Sequence, residues 1–283
     1  MFRWLAGRGA SKRDVVRTLA AISQNDWRRA VRSLPFLSGL TVDDEEALRV
    51  RSAWLLASKS FSGAGGLVLS DQMMLSIAIQ AALPILQLDT RLYEGWTEII
   101  VYPGGFLIPR TDMDESGVVH EYIMPASGEA WDGGPVILSW DDLSRAEDEG
   151  ANVVIHEFAH KLDLYGGEAD GMPALLAQSS IDPRHWKRVL DKSFEQFNRA
   201  LDVVEEAIPP HVDPESDDAL PWYDRLPLDP YAATDEAEFF AVSSEAFFVQ
   251  PGPLANALPD WYGLLAQYYR QDPLKRLERA PAL

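Results

Sequence analysis

The chain has 283 residues, enough for one large domain or two intimate ones, with 47% apolar and 24% charged residues, the balance of an ordinary globular protein. Its net charge of −19 argues against broad electrostatic attraction to nucleic acid or to an anionic membrane. It contains no cysteine, so disulfides and thiolate metal sites are excluded, and any metal must be held by His, Asp or Glu.

The charge is uneven along the chain. Residues 1–32 carry eight basic residues (Arg3, Arg8, Lys12, Arg13, Arg17, Arg28, Arg29, Arg32) against Asp14 and Asp26. This run reads as the solvated basic face of a helix over 10–32, with Trp27 and Val31 on its apolar side. No apolar run typical of a secretory leader follows Met1, which points to a cytoplasmic protein. A second helix is predicted over 43–61, opened by Asp43 and Asp44 and striped by Leu48, Trp54, Leu55 and Phe61. Ser62 to Gly66 is a loop. A third helix over 70–87 is apolar nearly all round, so it belongs to the core. Ser76, Gln80, Pro84 and Gln87 interrupt it too often for a membrane span.

The pattern then changes to strands. Thr97–Tyr102 and Phe106–Ile108 flank Pro103-Gly104-Gly105 and suggest a hairpin, and Val118–Met124 and Pro135–Trp140 are further strand candidates around a turn-rich 125–134. Helices are predicted over 151–165 and 183–207, then an irregular Pro- and acid-rich loop over 208–230, then helices over 235–249, 259–270 and 273–279. Helices, a few strands and helices again give an α+β fold. The expected organisation is a helical N-terminal part (1–90) packed on a core (91–283) with a small mixed sheet, the whole forming one compact unit.

The informative pentapeptide is His156-Glu157-Phe158-Ala159-His160. On an α-helix, residues four apart share a face, so the two imidazoles can occupy adjacent corners of a tetrahedral metal. Glu157 lies about 100° round the axis, where a carboxylate can accept a proton from a metal-activated water. Asn152 is a plausible cap, and Gly166-Gly167 ends the helix. Asp163 falls on the metal face and could orient an imidazole. His120, His185 and His211 have no ligand spacing and read as surface or capping residues. A catalytic zinc needs a third protein ligand, and here that means a carboxylate. The apolar helix over 235–249 offers Glu238 and Glu245, seven apart on one face, and spacing alone leaves both open.

Several stretches together resemble the Mlc titration factor A family, bacterial gluzincin-type metallopeptidases related to the catalytic domain of anthrax lethal factor. They are Gly128–Trp131, Gly134–Asp141, His156–Asp163, Tyr231–Phe248 and Gln271–Leu277. The resemblance implies a zincin-like core with one zinc per chain, held by His156, His160 and Glu238. It implies that Glu157 is the general base, that Tyr231 stabilises the oxyanion, and that Glu245 is a supporting or structural residue. It also implies a peptide or protein substrate pairing with the cleft strand at 134–140. A second role goes with the family, sequestration of the transcriptional repressor Mlc. The chain departs from enterobacterial members in a longer insertion around 208–228.

Overall fold

The computed structural model describes residues 10–113, 119–126, 128–131, 133–143, 152–175 and 180–279, with backbone alone for 107–113 and 119–126. The N-terminal helices are α1 (Lys12–Ala21), α2 (Gln24–Arg32), α3 (Val42–Ser58) and α4 (Asp71–Ala82). The single helix expected over 10–32 is two helices. Ile22 leaves helical geometry, and the Ser23 hydroxyl accepts the backbone N–H of Asp26, starting α2 afresh. Serine side chains compete for backbone donors in this way, and the helical periodicity on either side conceals the break. Trp27 of α2 is buried in the core, as expected.

Helix α3 stops at Ser58, three residues short of the expected end. Lys59 takes extended backbone, and residues Ser60–Gly63 form strand β1 rather than the last turn of a helix. Helix α4 ends at Ala82, not at 87. Pro84 lacks the N–H that a longer helix would need. Otherwise α4 is buried on almost every side, from Met74 to Ala82, as its composition requires.

The remaining strands are β2 (Glu98–Tyr102), β3 (Phe106–Met113), β4 (Val119–Ala126), β5 (Gly128–Ala130) and β6 (Val136–Ser139). The expected hairpin across Pro103-Gly104-Gly105 does not form. Strand β2 pairs in parallel with β1 and with β6, while β3 pairs antiparallel with β4 in a separate ribbon. The Pro-Gly-Gly turn reverses the chain without dictating what each arm pairs with. Ile99 and Val101 are fully buried, as befits a central strand with a neighbour on each side. The four-stranded sheet runs β1-β2-β6-β5, with β5 antiparallel to β6. Both edges of β6 are therefore occupied. A substrate cannot pair with 134–140 as expected, and the edge strand on this side is β5, which lies inside the stretch read as turns.

The C-terminal half is helical: α5 (Val153–Leu164), α6 (Pro183–Glu206), the short α7 (Leu220–Tyr223), α8 (Glu236–Val249), α9 (Pro251–Ala257), α10 (Pro259–Tyr269) and α11 (Pro273–Glu278). Single-turn 3-10 segments lie at Asp217–Ala219 and Pro230–Ala233. Helix α9 was not anticipated; Pro251 at its first turn starts it where a new helix needs no N–H. Helix α8 is buried nearly all round, and Phe239, Phe240, Phe247 and Phe248 pack on Trp186, Trp261 and Tyr269 in an aromatic core. Among the described residues no helix is long and apolar enough to cross a membrane. The architecture is α+β, and the sheet and α8 together cradle α5.

Candidate metal centre

Helix α5 starts at Asn152, whose Oδ1 accepts the N–H of Ile155 at 2.9 Å. Val154, Ile155, Phe158, Ala159 and Leu162 are buried and fix its rotation. That rotation sends His156 and His160 out together, with ring centroids 4.8 Å apart and Nε2 atoms 3.2 Å apart. Glu238 arrives from the first turn of α8. Asp235 caps that helix by accepting the Glu238 N–H at 2.9 Å, which sets where the glutamate stands. Its Oε2 lies 3.2 Å from His156 Nε2 and 3.3 Å from His160 Nε2.

The three donor atoms thus form a nearly equilateral triangle. In a tetrahedral site with bonds of about 2.0–2.1 Å, neighbouring donors stand roughly 3.3–3.4 Å apart. The triangle matches this spacing, and two imidazoles with a carboxylate suit a divalent transition metal. Among the described residues, His156, His160 and Glu238 form a group able to hold a metal ion.

Glu245 stands elsewhere. Its Oε1 is 3.7 Å from His156 Nδ1, on the far side of the ring, and its Oε2 accepts the backbone N–H of Asn152 at 2.9 Å. The two glutamates that spacing leaves equivalent therefore face opposite nitrogens of the same imidazole. Tyr231 sits in the 3-10 segment Pro230–Ala233, which Asp229 caps. Its hydroxyl donates to Glu238 Oε1 at 3.3 Å, and at 47% exposure the ring forms the solvent side of the cluster. Asp163 is buried, but its Oδ2 accepts the Gly171 N–H at 2.8 Å, and it makes no hydrogen bond to either imidazole. His185 lies near Arg188 on α6, away from the cluster.

The electrostatics are those of carboxylates and imidazoles drawn out of water. Burial pulls the His156 imidazole down, yet Glu238 and Glu245 outweigh it and raise it well above its ordinary value. Burial pushes Glu238 up, and the two imidazoles more than reverse that, holding it well below the usual carboxylate range. Glu157 is 4% exposed, and burial pushes its carboxyl up to about 7 despite the nearby His156 and His160. Its Oε2 has no hydrogen-bond partner. A carboxylate held near neutrality with one oxygen uncommitted is suited to taking and returning a proton. Burial likewise lifts Asp163 to about 7.

Other contributors escaped the sequence reading. A Cβ on Gly128 of β5 would lie 2.2 Å from Glu157 Oε1, so the carboxylate occupies space that only glycine leaves free. A glycine isolated in a strand is the available signal for such close approach. Its neighbour Glu129 is also buried and helps to raise Glu157. Lys161, next to His160, is buried too. It donates to the carbonyls of Gly134, at 2.9 Å, and Trp131, tying the β5–β6 turn to α5.

Comparison with known proteins points to a family of metal-dependent peptidases. The sequence profile of the family described as glucose-regulated metallo-peptidase M90 matches residues 8–270. A protein of Serratia proteamaculans (strain 568) called Mlc titration factor A is 37% identical over 258 residues, covering 90% of each chain. Proteins of the same name from Pectobacterium atrosepticum and Yersinia enterocolitica are 35% and 33% identical, each covering 89% of this chain and 88% of the relative.

Proposed function

The chain belongs to the M90 family of glucose-regulated metallopeptidases, and from that premise we propose that it is a zinc peptidase with Glu157 as its general base. The observation that carries this reading is the triangle of His156 Nε2, His160 Nε2 and Glu238 Oε2 at 3.2–3.3 Å, with the uncommitted Glu157 carboxylate on the same helix. One zinc held there would supply Lewis-acid polarisation of a peptide carbonyl and acidify a water.

The chain's own residues do the rest. Glu157 accepts the proton of the attacking water at its free oxygen and returns it to the departing amine nitrogen as the C–N bond breaks. The Tyr231 hydroxyl, held near the cluster by Glu238, turns to the carbonyl oxygen as negative charge develops on it. Gly128 gives the base its seat. Strand β5, the outer strand of the sheet among the described residues, lies where an extended peptide could run along the cleft. The substrate is accordingly a peptide or an extended protein segment.

A second reading rests on the relatives' name, which speaks of titrating Mlc. A surface that sequesters a transcriptional repressor can exist on the same molecule without turnover. Metal analysis of the purified protein together with a peptide-library screen tests the first reading. One zinc per chain and cleavage that stops on chelation are expected. A protein that neither retains zinc nor cleaves any peptide would overturn it. Glu157→Gln separates the two readings, because repressor capture needs no general base.

A further inference from the structure

Gln80 is a buried glutamine, 3% exposed, among the buried apolar residues of helix α4. A buried amide is costly unless its hydrogen bonds are made, so a residue with only a packing task at this position would be apolar. Here they are made. Nε2 donates to the carbonyl and hydroxyl of Ser76, each at 3.3 Å, and Oε1 accepts from Asn152 Nδ2 at 2.7 Å.

Asn152, 2% exposed, uses each of its remaining groups. Its Oδ1 caps α5 through Ile155, and its backbone N–H donates to Glu245 Oε2 at 2.9 Å. The other oxygen of Glu245 faces His156 Nδ1 at 3.7 Å. A polar chain, buried from Gln80 through Glu245, therefore runs from Ser76 by way of Asn152 to a 3.7 Å contact with the nitrogen of His156 that points away from Glu238 and His160.

We propose that Gln80 and Asn152 are positioning residues for the metal ligand His156, acting through Glu245. This rests on the reading of His156, His160 and Glu238 as a zinc centre. The Asn152 amide has two donors and one acceptor, and the Gln80 oxygen fixes which end of it faces the helix. With its side chain held between Gln80 and the Ile155 N–H, Asn152 keeps its backbone N–H aimed at Glu245 Oε2, and the carboxylate is held beside Nδ1. A carboxylate there keeps the proton on Nδ1 and leaves the Nε2 lone pair for the metal. The N-terminal helices thereby reach the metal centre without touching it.

Zinc affinity, measured by competition with a chromophoric chelator on the full chain, tests this. Two variants separate positioning from helix capping. Serine caps a helix as well as asparagine does, but it lacks the reach to Gln80, so Asn152→Ser keeps the cap and cuts the link. Gln80→Leu cuts the same link from the other side. Both should weaken zinc binding by about 10–100-fold. The double variant should be no weaker than the worse single one, since both break one chain. Melting temperatures that fall while zinc affinity stays within about twofold would reduce both residues to packing and overturn the proposal. If Gln80→Leu does not fold, Asn152→Ser decides alone. Failure of the unmutated protein to bind zinc would instead remove the metal-centre reading, an outcome distinct from tight binding in all the variants.

Discussion

His160 and Lys161 are consecutive residues of α5, yet they enter two buried polar regions built on opposite logic. On the lysine side, Lys59 and Lys161 converge on the indole of Trp96, with ammonium nitrogens 3.7 and 4.9 Å from the ring. Lys59 also donates to the Trp96 carbonyl at 2.7 Å and to that of Tyr93, and Lys161 to Gly134 and Trp131. Here cations are answered from within, by carbonyl dipoles and a π face. On the histidine side, two imidazole nitrogens and a carboxylate oxygen converge across 3.2–3.3 Å, and Glu157 Oε2 has no donor. Buried donors that find carbonyls within the fold are scaffold, whereas two imidazoles and a carboxylate converging on one point form a group able to hold a metal ion.

The comparison can be broken most sharply at Glu157. Glu157→Gln keeps the size and the hydrogen bonding but cannot take a proton, so turnover should fall by about 10²–10⁴-fold with zinc content unchanged. Near-full activity in that variant would reject Glu157 as the base. His160→Ala should lose zinc and activity together, as metal analysis would register. Tyr231→Phe comes next. A donor aimed at a developing oxyanion is worth about 2.7–4 kcal/mol of barrier, so the turnover number should drop about 10²–10³-fold with little change in the Michaelis constant. An unchanged turnover number at full zinc occupancy would leave Tyr231 a packing residue.

The lysine side should respond in stability rather than in chemistry. Lys161→Met strands the carbonyls of Trp131 and Gly134, and a buried acceptor left without a donor costs about 1–3 kcal/mol. Urea unfolding should register a loss of that order, while zinc binds as before. A loss of zinc without a loss of stability would erase the distinction between the two regions.

The smallest effect is a pH slope. Burial, and secondarily Lys161, depress the Lys59 ammonium from 10.5 to about 7. Between about pH 7 and 10.5 the unfolded chain therefore holds more proton at this site than the folded one, and stability contributed here rises with pH through that window. Below about pH 7 both states are protonated and the cost of burying the charge is fully present. Urea midpoints of the unmutated protein relative to Lys59→Met should climb from pH 6.5 to 9. Parallel profiles would show that Lys59 titrates normally.

The two regions also differed in how far they could be read in advance. The His pair, its helix and its cap were legible because a 3.6-residue period places residues 156 and 160 on one face whatever surrounds them. The buried helix carrying Glu238 and Glu245 was legible from its phenylalanines. Which glutamate faces which nitrogen was not, because two residues seven apart differ only in where a second helix crosses them. The parallel partners of β2 were hidden for a similar reason. They lie more than thirty residues away on either side, and local alternation carries no record of them. Phe61 fits a helical stripe and a strand equally well, and only pairing with Ile99 decides it. The lysine pocket left no pattern at all, since a buried lysine satisfied by carbonyls looks in sequence like any surface lysine.

Helix α5 is fastened at both ends and in the middle: Asn152 to α4 and α8, the Phe158 carbonyl to the Tyr93 hydroxyl at 3.3 Å, and Lys161 to the β5–β6 turn. Mechanically these ties make it a fixed beam, and the last of them pins one wall of the cleft to the other. The gap between β5 and α5 cannot widen by sliding without breaking the Lys161 rivet. Across the cluster from this rivet stands the single 3-10 turn that carries the half-exposed Tyr231. Hydrogen exchange should therefore be slow along α5 and faster around 229–234, a single exposed turn, so that shape changes at the cluster fall on the tyrosine rather than on the two histidines.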